Sequence, residues 1–459
     1  MNDLRTFLRL VEQQAPELLV RVKKEVNPRW ELSAVQMRLQ ADDRFPILLF
    51  ERVADHAMPV VSNLFATKRH LALALGTSPD QVVPAFTEAS RRRLAPVAVN
   101  TGPVKDVVLT GDRARLSVLP LVTHCEKDAG AYLSSGVTIM RDPKTGLLNA
   151  GLYRHLRVSD TRLTINMAPL SDGAEITREA EEHGTAVDAA IVIGHHPALA
   201  MASQQRGERG AFELDVMGGL LGQPVGVVAA ETVDVPVPAD AEIVVEGRIV
   251  PGIREQDGPF GDYWLYYSPP RQARVFEVTA ITHRRDAIFH DVFNVGPEHV
   301  TLFSLGMEGV VFSQLQQLAP GVKAVNVPAC GSGNLVYVQI HKQIEGQGVN
   351  TALSALGAYR FKCAIVVDED IDIHDDRKVL WAVMTRTQAD RSFFTVPGSY
   401  VSRVDPTGYA PWQLGDRGPR ILTTRLGIDA TRPLDPGFPE VAVPPRDLWT
   451  RIDLSRYLA

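Results

Sequence analysis

The chain has 459 residues, room for two or three domains at roughly 150 residues each. Hydrophobic residues make up 45% and charged ones 22%, with a formal net charge of −6, which excludes a disordered or fibrous chain and leaves no basic stripe for the phosphates of a nucleic acid. The three cysteines, Cys125, Cys330 and Cys363, are odd in number and far apart, which excludes a disulfide framework and a CxxC zinc site and implies a reducing compartment.

The N-terminal residues mix charged and apolar positions without a basic lead and apolar core, so no secretory signal is expected. Apolar runs such as 189–194 fall far short of the ~18 residues a membrane span needs, and a soluble, cytoplasmic protein is expected. Residues 3–24 space Leu4, Phe7, Leu8, Val11, Leu18 and Leu19 as helices do, with Pro16 ending one helix and starting another. Short buried strands are predicted at 45–50 and 60–65, and a helix at 69–75 stopped near Gly76. From about residue 100 to 295 the pattern changes to short β-rich runs at 107–109, 136–141, 163–167, 190–194, 225–229, 242–250 and 275–282. Turn residues separate these runs at regular intervals, as in a sandwich or barrel rather than a doubly wound sheet. Helices interrupt them at about 173–183 and 212–221. Residues 298–318 set Val300, Phe303, Met307, Val311 and Leu315 on one face and predict a connecting helix, although Gly306 and Gly309 oppose it. An α/β section follows, with strands at 323–327, 335–339 and 363–367, helices at 346–359 and 376–385, and a proline-rich tail from Pro433. No internal repeat or low-complexity tract interrupts it.

Three segments carry residues suited to chemistry. In Glu255-Gln256-Asp257-Gly258-Pro259-Phe260-Gly261-Asp262-Tyr263, two glycines and a proline make a tight loop with Asp257 and Asp262 at its ends. If both face one cavity, their repulsion lets one carboxyl keep a proton and act as an acid; otherwise this is a solvated turn with acidic flanks. In the segment from Asp142 to Arg154, a turn at 143–146 feeds a strand holding Asn149 and Arg154. Five residues apart on an unbroken strand, these two face opposite sides unless Gly151 bends or bulges it. Arg154 can grip a carboxylate bidentately or form a surface ion pair. Glu213, on the apolar stretch 212–222, can ligate a hard cation through oxygen or simply face solvent.

Other signals weigh less. His195 and His196 are adjacent, so on an extended segment they point apart and suit structure better than a shared metal or a metal-dependent hydrolase. The acids at 368–372 mimic a calcium loop, but Ile373 stands where glycine is needed. The turn Gly331-Ser332-Gly333-Asn334 lacks the lysine or third glycine of a phosphate cradle, and no GxSxG elbow occurs.

Taken together, the three segments resemble the UbiD family. So do Pro46-Ile47-Leu48-Leu49-Phe50-Glu51, Met58-Pro59-Val60-Val61-Ser62-Asn63-Leu64-Phe65, Glu242-Ile243-Val244-Val245-Glu246-Gly247, Asp368-Glu369-Asp370-Ile371-Asp372-Ile373 with Val379-Leu380-Trp381-Ala382, and Gly427-Ile428-Asp429-Ala430-Thr431. All run in family order over nearly the whole chain. The resemblance implies an α+β fold: an N-terminal lead (1–100), a split β-barrel flavin domain (101–297), a connecting helix (298–320) and a C-terminal oligomerisation domain with its tail (321–459). It implies decarboxylation or carboxylation of an aromatic, heteroaromatic or α,β-unsaturated acid, with CO2 as the other partner. The cofactor it implies is prenylated FMN supplied by a flavin prenyltransferase, with Mn2+ or another divalent cation and K+.

Position by position, Arg154 resembles the family's catalytic arginine, Asp257 its first acid and Asp262 the acid that returns the proton. The family usually has Glu where Asp257 stands, which makes Glu255 a neighbour to consider. Asn149 and Glu213 match two of three side chains that hold the metal at the flavin phosphate. The third is usually a histidine; none lies in 168–173, and Asp172 or Ser171 stands in its place. Arg425 occupies the position of a lysine that contacts the phosphate, and either cation suits it. A non-catalytic flavin-binding or assembly subunit of the same fold is the alternative. Segments 165–167, 331–335 and 393–400, with Tyr263, are expected to line a pocket for a flat ring, whose identity stays open.

Overall fold

The structure is a computed structural model that describes residues 3–206, 210–402, 404–411, 413 and 420–457. Its fold is mixed α+β. Helix Leu4–Gln14 forms because Leu4, Phe7, Leu8 and Val11 share a buried face and Asp3 caps it, accepting from the Thr6 amide at 2.8 Å. The second helix expected after Pro16 does not form. A single 3-10 turn, Pro16–Leu18, leads into strand Leu19–Val22, which pairs in parallel with Ile47–Phe50. Val20 and Val22, β-branched, pack better in a ladder than on a helix. Strand Val60–Ser62 stops short of the expected Phe65 because Asn63 turns to φ 70°, held by Gln36 and by the Pro46 carbonyl. The fourth strand of this sheet is Phe289–Asp291, from the far end of the next domain, so the N-terminal lead is completed by later chain. Helices Glu31–Ala41 and Val82–Arg91 were not visible in the pattern.

The central sheet has seven strands. Two long strands, Ile243–Asp257 and Arg271–His283, form its spine, with register shifts at Glu246/Gly247 and Val250/Arg254. Gly247 is required there: a Cβ would lie 2.1 Å from the Glu277 carbonyl. Edge strands Arg162–Ile165 and Leu148–Leu152 are not joined in a continuous ladder, and only isolated bridges, Arg154 with Asn166 and Arg157 with Leu163, span the gap. The described residues therefore form an open sheet, not a closed barrel.

Helix Pro297–Leu318 spans 22 residues. Its glycines, read from sequence as weakening, serve packing: a Cβ on Gly306 would stand 1.9 Å from the Gln204 carbonyl. Beyond it lies a five-stranded mixed sheet that includes Phe393–Tyr400 and Leu422–Ala430, two strands the pattern did not reveal. The Val327 amide donates to the buried Glu308 carboxylate at 2.7 Å and ties sheet to helix.

Candidate active site

Strand Ile243–Asp257 delivers Asp257 to the interior, fully buried, and the chain then turns through Gly258 at φ 90°, a conformation glycine adopts without strain. Gly261 has no room for a side chain, since a Cβ would come within 2.7 Å of both Cys125 and Val295. The loop so constrained brings Asp262 back toward Asp257, and Arg154 binds both. Its Nη2 donates to Asp257 Oδ1 at 2.8 Å, its Nε to the same oxygen at 3.3 Å, and its Nη1 to Asp262 Oδ2 at 3.3 Å. Thr164 Oγ donates to Asp257 Oδ2 at 2.8 Å, Ser268 Oγ to Asp262 Oδ2 at 2.5 Å, and the Tyr263 amide to Asp262 Oδ1 at 2.8 Å. The guanidinium carbon of Arg154 sits over the Phe260 ring, 4.3 Å from its centre.

Arg154 pairs with both aspartates and so sets the two acids in place. Glu255, the neighbour weighed beside Asp257, takes no part in the network. Gly151 also differs from expectation: the strand pairs in unbroken register with Val137–Arg141, without a bulge. Gly151 and Gly173 instead make room for the Tyr153 phenol, which would lie within 2.5 Å of a Cβ on either. Arg154 escapes the alternation because the strand ends at Leu152.

On the same strand, Asn149 meets Glu213, the first residue of helix Glu213–Leu221. Asn149 Nδ2 donates to Glu213 Oε1 at 2.9 Å and the Ala150 amide to Oε2 at 2.6 Å. Burial pushes the Glu213 carboxyl up to about 8, partly offset by the Ala150 amide. Asn149 Oδ1 is buried without a partner. A buried carboxylate beside an orphaned carbonyl oxygen is a hard-oxygen donor set that fits a divalent cation. Asp172 opens helix Asp172–Glu182 behind its cap Ser171, and its charge acts on both Glu213 and Tyr153. Among the described residues, however, no three Asp, Glu, His or Cys side chains gather into a metal site.

Arg425 stands apart. It donates to the carbonyls of Leu356, Tyr359 at 3.2 Å and Tyr400 at 2.6 Å, fastening a helix end to the C-terminal sheet. His195 and His196 are buried and held neutral by burial, at about 3 and about 4; each ring Nδ1 accepts a backbone amide of the turn that follows. Their role is structural.

Arg154, Asp262 and Tyr263 open onto a cavity of about 310 Å³ between the central sheet and the C-terminal domain. Asn166, Met167 and Tyr400 line it as expected, whereas 331–335 do not: Gly333 packs on Phe303 instead. A second cavity of about 590 Å³ shares Asn166, Met167, Pro169, Ser171 and Arg271 with the first. Sequence reading missed Thr164, Ser268, His299 and Arg360. His299 is buried, stacked on Tyr263 with ring centres 5.6 Å apart. A lone histidine in the first turn of a long apolar helix was the available signal for it; Thr164, Ser268 and Arg360 carried none.

Three family models cover the chain in order. They describe the N-terminal domain of 3-octaprenyl-4-hydroxybenzoate carboxy-lyase (residues 12–90), its Rift-related domain (96–297) and its C-terminal domain (300–430). The class of protein is thus a carboxy-lyase. The chain is 32% identical to the anhydromevalonate phosphate decarboxylase of Methanothermobacter thermautotrophicus over 94% of its own length and 97% of the relative's. It superposes on the UbiD-class enzyme HmfF from Pelotomaculum thermopropionicum in complex with FMN with a TM-score of 0.92 and 36% identity, covering 99% of this chain and 100% of that one. An evolved dimeric form of HmfF in complex with prFMN gives 0.89 and 34%, covering 100% of both. The chain belongs to the UbiD family.

Proposed function

We propose that this protein decarboxylates, or in reverse carboxylates, an unsaturated carbon of an aromatic, heteroaromatic or acrylic acid with prenylated FMN bound. The observation that carries the reading is the Arg154–Asp257–Asp262 network on the wall of the cavity. When bound, the prenylated flavin supplies the electron sink that no side chain here offers. Loss of CO2 from R–COO⁻ leaves a carbon that must take one proton to give R–H. Asp262 relays that proton from solvent to the carbon, its carboxyl oriented by the Ser268 hydroxyl, the Tyr263 amide and Arg154, which all donate to it. Asp257, with Thr164, anchors Arg154 and stays away from the reacting carbon. Asn149 and Glu213 would hold Mn2+ or another divalent cation at the flavin phosphate, with Asp172, whose charge acts on Glu213, as the third side chain and K+ as a further counter-ion. The split-barrel form of the central domain, supply of the cofactor by a flavin prenyltransferase in the cytoplasm, and assembly into a homo-oligomer through 321–459 belong to the same reading. A role as a non-catalytic subunit would need no paired acids around an arginine.

The test is co-expression with a flavin prenyltransferase, anaerobic purification, mass spectrometry of the extracted ligand and a CO2-release screen over unsaturated acids. Colour, a prenylated flavin mass and turnover of at least one acid are expected; a flavin-free protein under these conditions sinks the proposal.

A further inference from the structure

The cavity has cations at two ends. Arg206 acts on Tyr153, on the side of Glu213 and Asp172. Arg360 lines the other side, carried by the segment between helix Gln347–Ala358 and strand Cys363–Asp368. Arg360 is half-buried, and among the described residues no carboxylate pairs with it. Its guanidinium carbon sits 5.5 Å from the Tyr359 ring centre and 5.7 Å from that of Tyr400, and besides burial its charge feels Tyr359, Tyr400, Tyr263 and the like charge of Arg425. Neighbouring cations of the same domain are matched: Lys362 by Asp405, Arg386 by Asp368 and Asp370, Arg425 by three carbonyls. A guanidinium partly withdrawn from water without a counter-charge, on the wall of a reaction cavity, is an anion site.

We infer that Arg360, with the hydroxyls of Tyr263 and Ser402, binds a second anionic group of the substrate, remote from the carboxylate that leaves as CO2. This rests on the decarboxylase reading above and narrows its substrate class to dianionic acids. Tyr263 and Ser402 hydroxyls lie 3.4 Å apart on the same wall. Burial raises the Tyr263 phenol, so it remains a donor at neutral pH. The leaving carboxylate is a poor occupant for Arg360: a cation gripping it would stabilise the acid more than the transition state, in which that charge moves away. Arg154 already serves the end of the cavity where CO2 leaves, beside Asp257 and Asp262. Arg206 lies toward Glu213 and Asp172, so Arg360 is the cation placed to meet the second anion, and the substrate spans from Asp262 to Arg360.

The holoenzyme and its Arg360→Gln and Arg360→Lys variants are assayed on matched acids: benzoate with terephthalate, cinnamate with 4-carboxycinnamate, crotonate with glutaconate. CO2 release, titration calorimetry and flavin content are read together. In any pair turned over, the diacid is expected to have kcat/KM at least about tenfold above the monoacid. Arg360→Gln is expected to remove that advantage through KM, with kcat nearly unchanged, and Arg360→Lys to restore part of it. Equal use of both acids, or an equal loss on both in Arg360→Gln, overturns the inference. Loss of flavin from Arg360→Gln also overturns it and assigns the residue to the cofactor phosphate. Flavin retained with no acid turned over counts against the decarboxylase reading alone. Calorimetry then decides the inference: tighter diacid binding that Arg360→Gln abolishes supports it, and equal affinities within each pair overturn it.

Discussion

Two buried carboxylate clusters, set by Asn149 and Arg154 on one strand and its exit, are finished differently. Around Arg154 every oxygen of Asp257 and Asp262 has a donor, and a guanidinium balances one of their charges. Around Asn149 the Glu213 carboxylate receives neutral donors alone, its pKa rises to about 8 by burial, and Asn149 Oδ1 has no partner. Buried charges are stable when paired and buried polar atoms when bonded. The first cluster meets both conditions from the chain itself, so the acids stand ready before any ligand arrives. The second meets neither, as expected of the divalent-cation site proposed above.

The comparison breaks most sharply at Asp262. Asp262→Asn is expected to lower CO2 release about 10²–10⁴-fold, the usual worth of a general acid, while flavin absorbance stays at the wild-type level. A residual rate within roughly tenfold of wild type would falsify the assignment of the proton to this residue. Arg154→Ala comes next, leaving the fully buried Asp257 with Thr164 as its remaining donor. Breaking a buried pair from one side costs about 3–5 kcal/mol, so urea unfolding should show a loss of that order; a loss under about 1 kcal/mol means the cluster does not depend on its cation.

The second cluster predicts the opposite response. Glu213→Gln replaces a carboxyl that burial keeps mostly protonated in the cation-free protein, so the apo protein should unfold at a wild-type temperature while Mn2+ affinity drops about tenfold or more. Metal analysis after dialysis against EDTA and readdition measures this, and unchanged uptake would strip the cluster of its cation role. Glu298 sharpens the comparison as a control. It too is fully buried, accepts the Phe293 amide at 3.3 Å and is pushed up to about 8 by burial, but it lies outside the cavity. A carboxyl raised in the folded state favours folding fully below its unfolded pKa near 4.5 and loses that contribution as pH rises through about 8. Glu298→Gln should therefore flatten the fall in melting temperature between pH 6 and pH 9, and parallel wild-type and variant curves would show that Glu298 does not titrate there.

What the sequence determined by itself is what local physics governs. Periodicity placed helix Pro297–Leu318 near its bounds and found the buried halves of the two long strands, because a buried face repeats every 3.6 or 2 residues whatever lies opposite; it missed the exposed stretches toward Asp257 and Arg271. The glycine–proline loop between Asp257 and Asp262 was legible for the same reason: backbone angles are a property of the residues that adopt them. Tertiary structure decided the rest. Whether residues 19–22 become helix or strand depends on Ile47–Phe50 lying beside them, and the N-terminal sheet closes with Phe289–Asp291 from far along the chain. Arg425 and Arg360 are equal as residue types, and what each charge meets separates them: backbone carbonyls of a neighbouring helix end and strand for one, tyrosine rings and an open cavity for the other. Thr164 and Ser268 entered the acid network unannounced, because a hydroxyl carries no pattern in sequence and acquires its role when folding sets it within hydrogen-bond reach of a buried carboxylate.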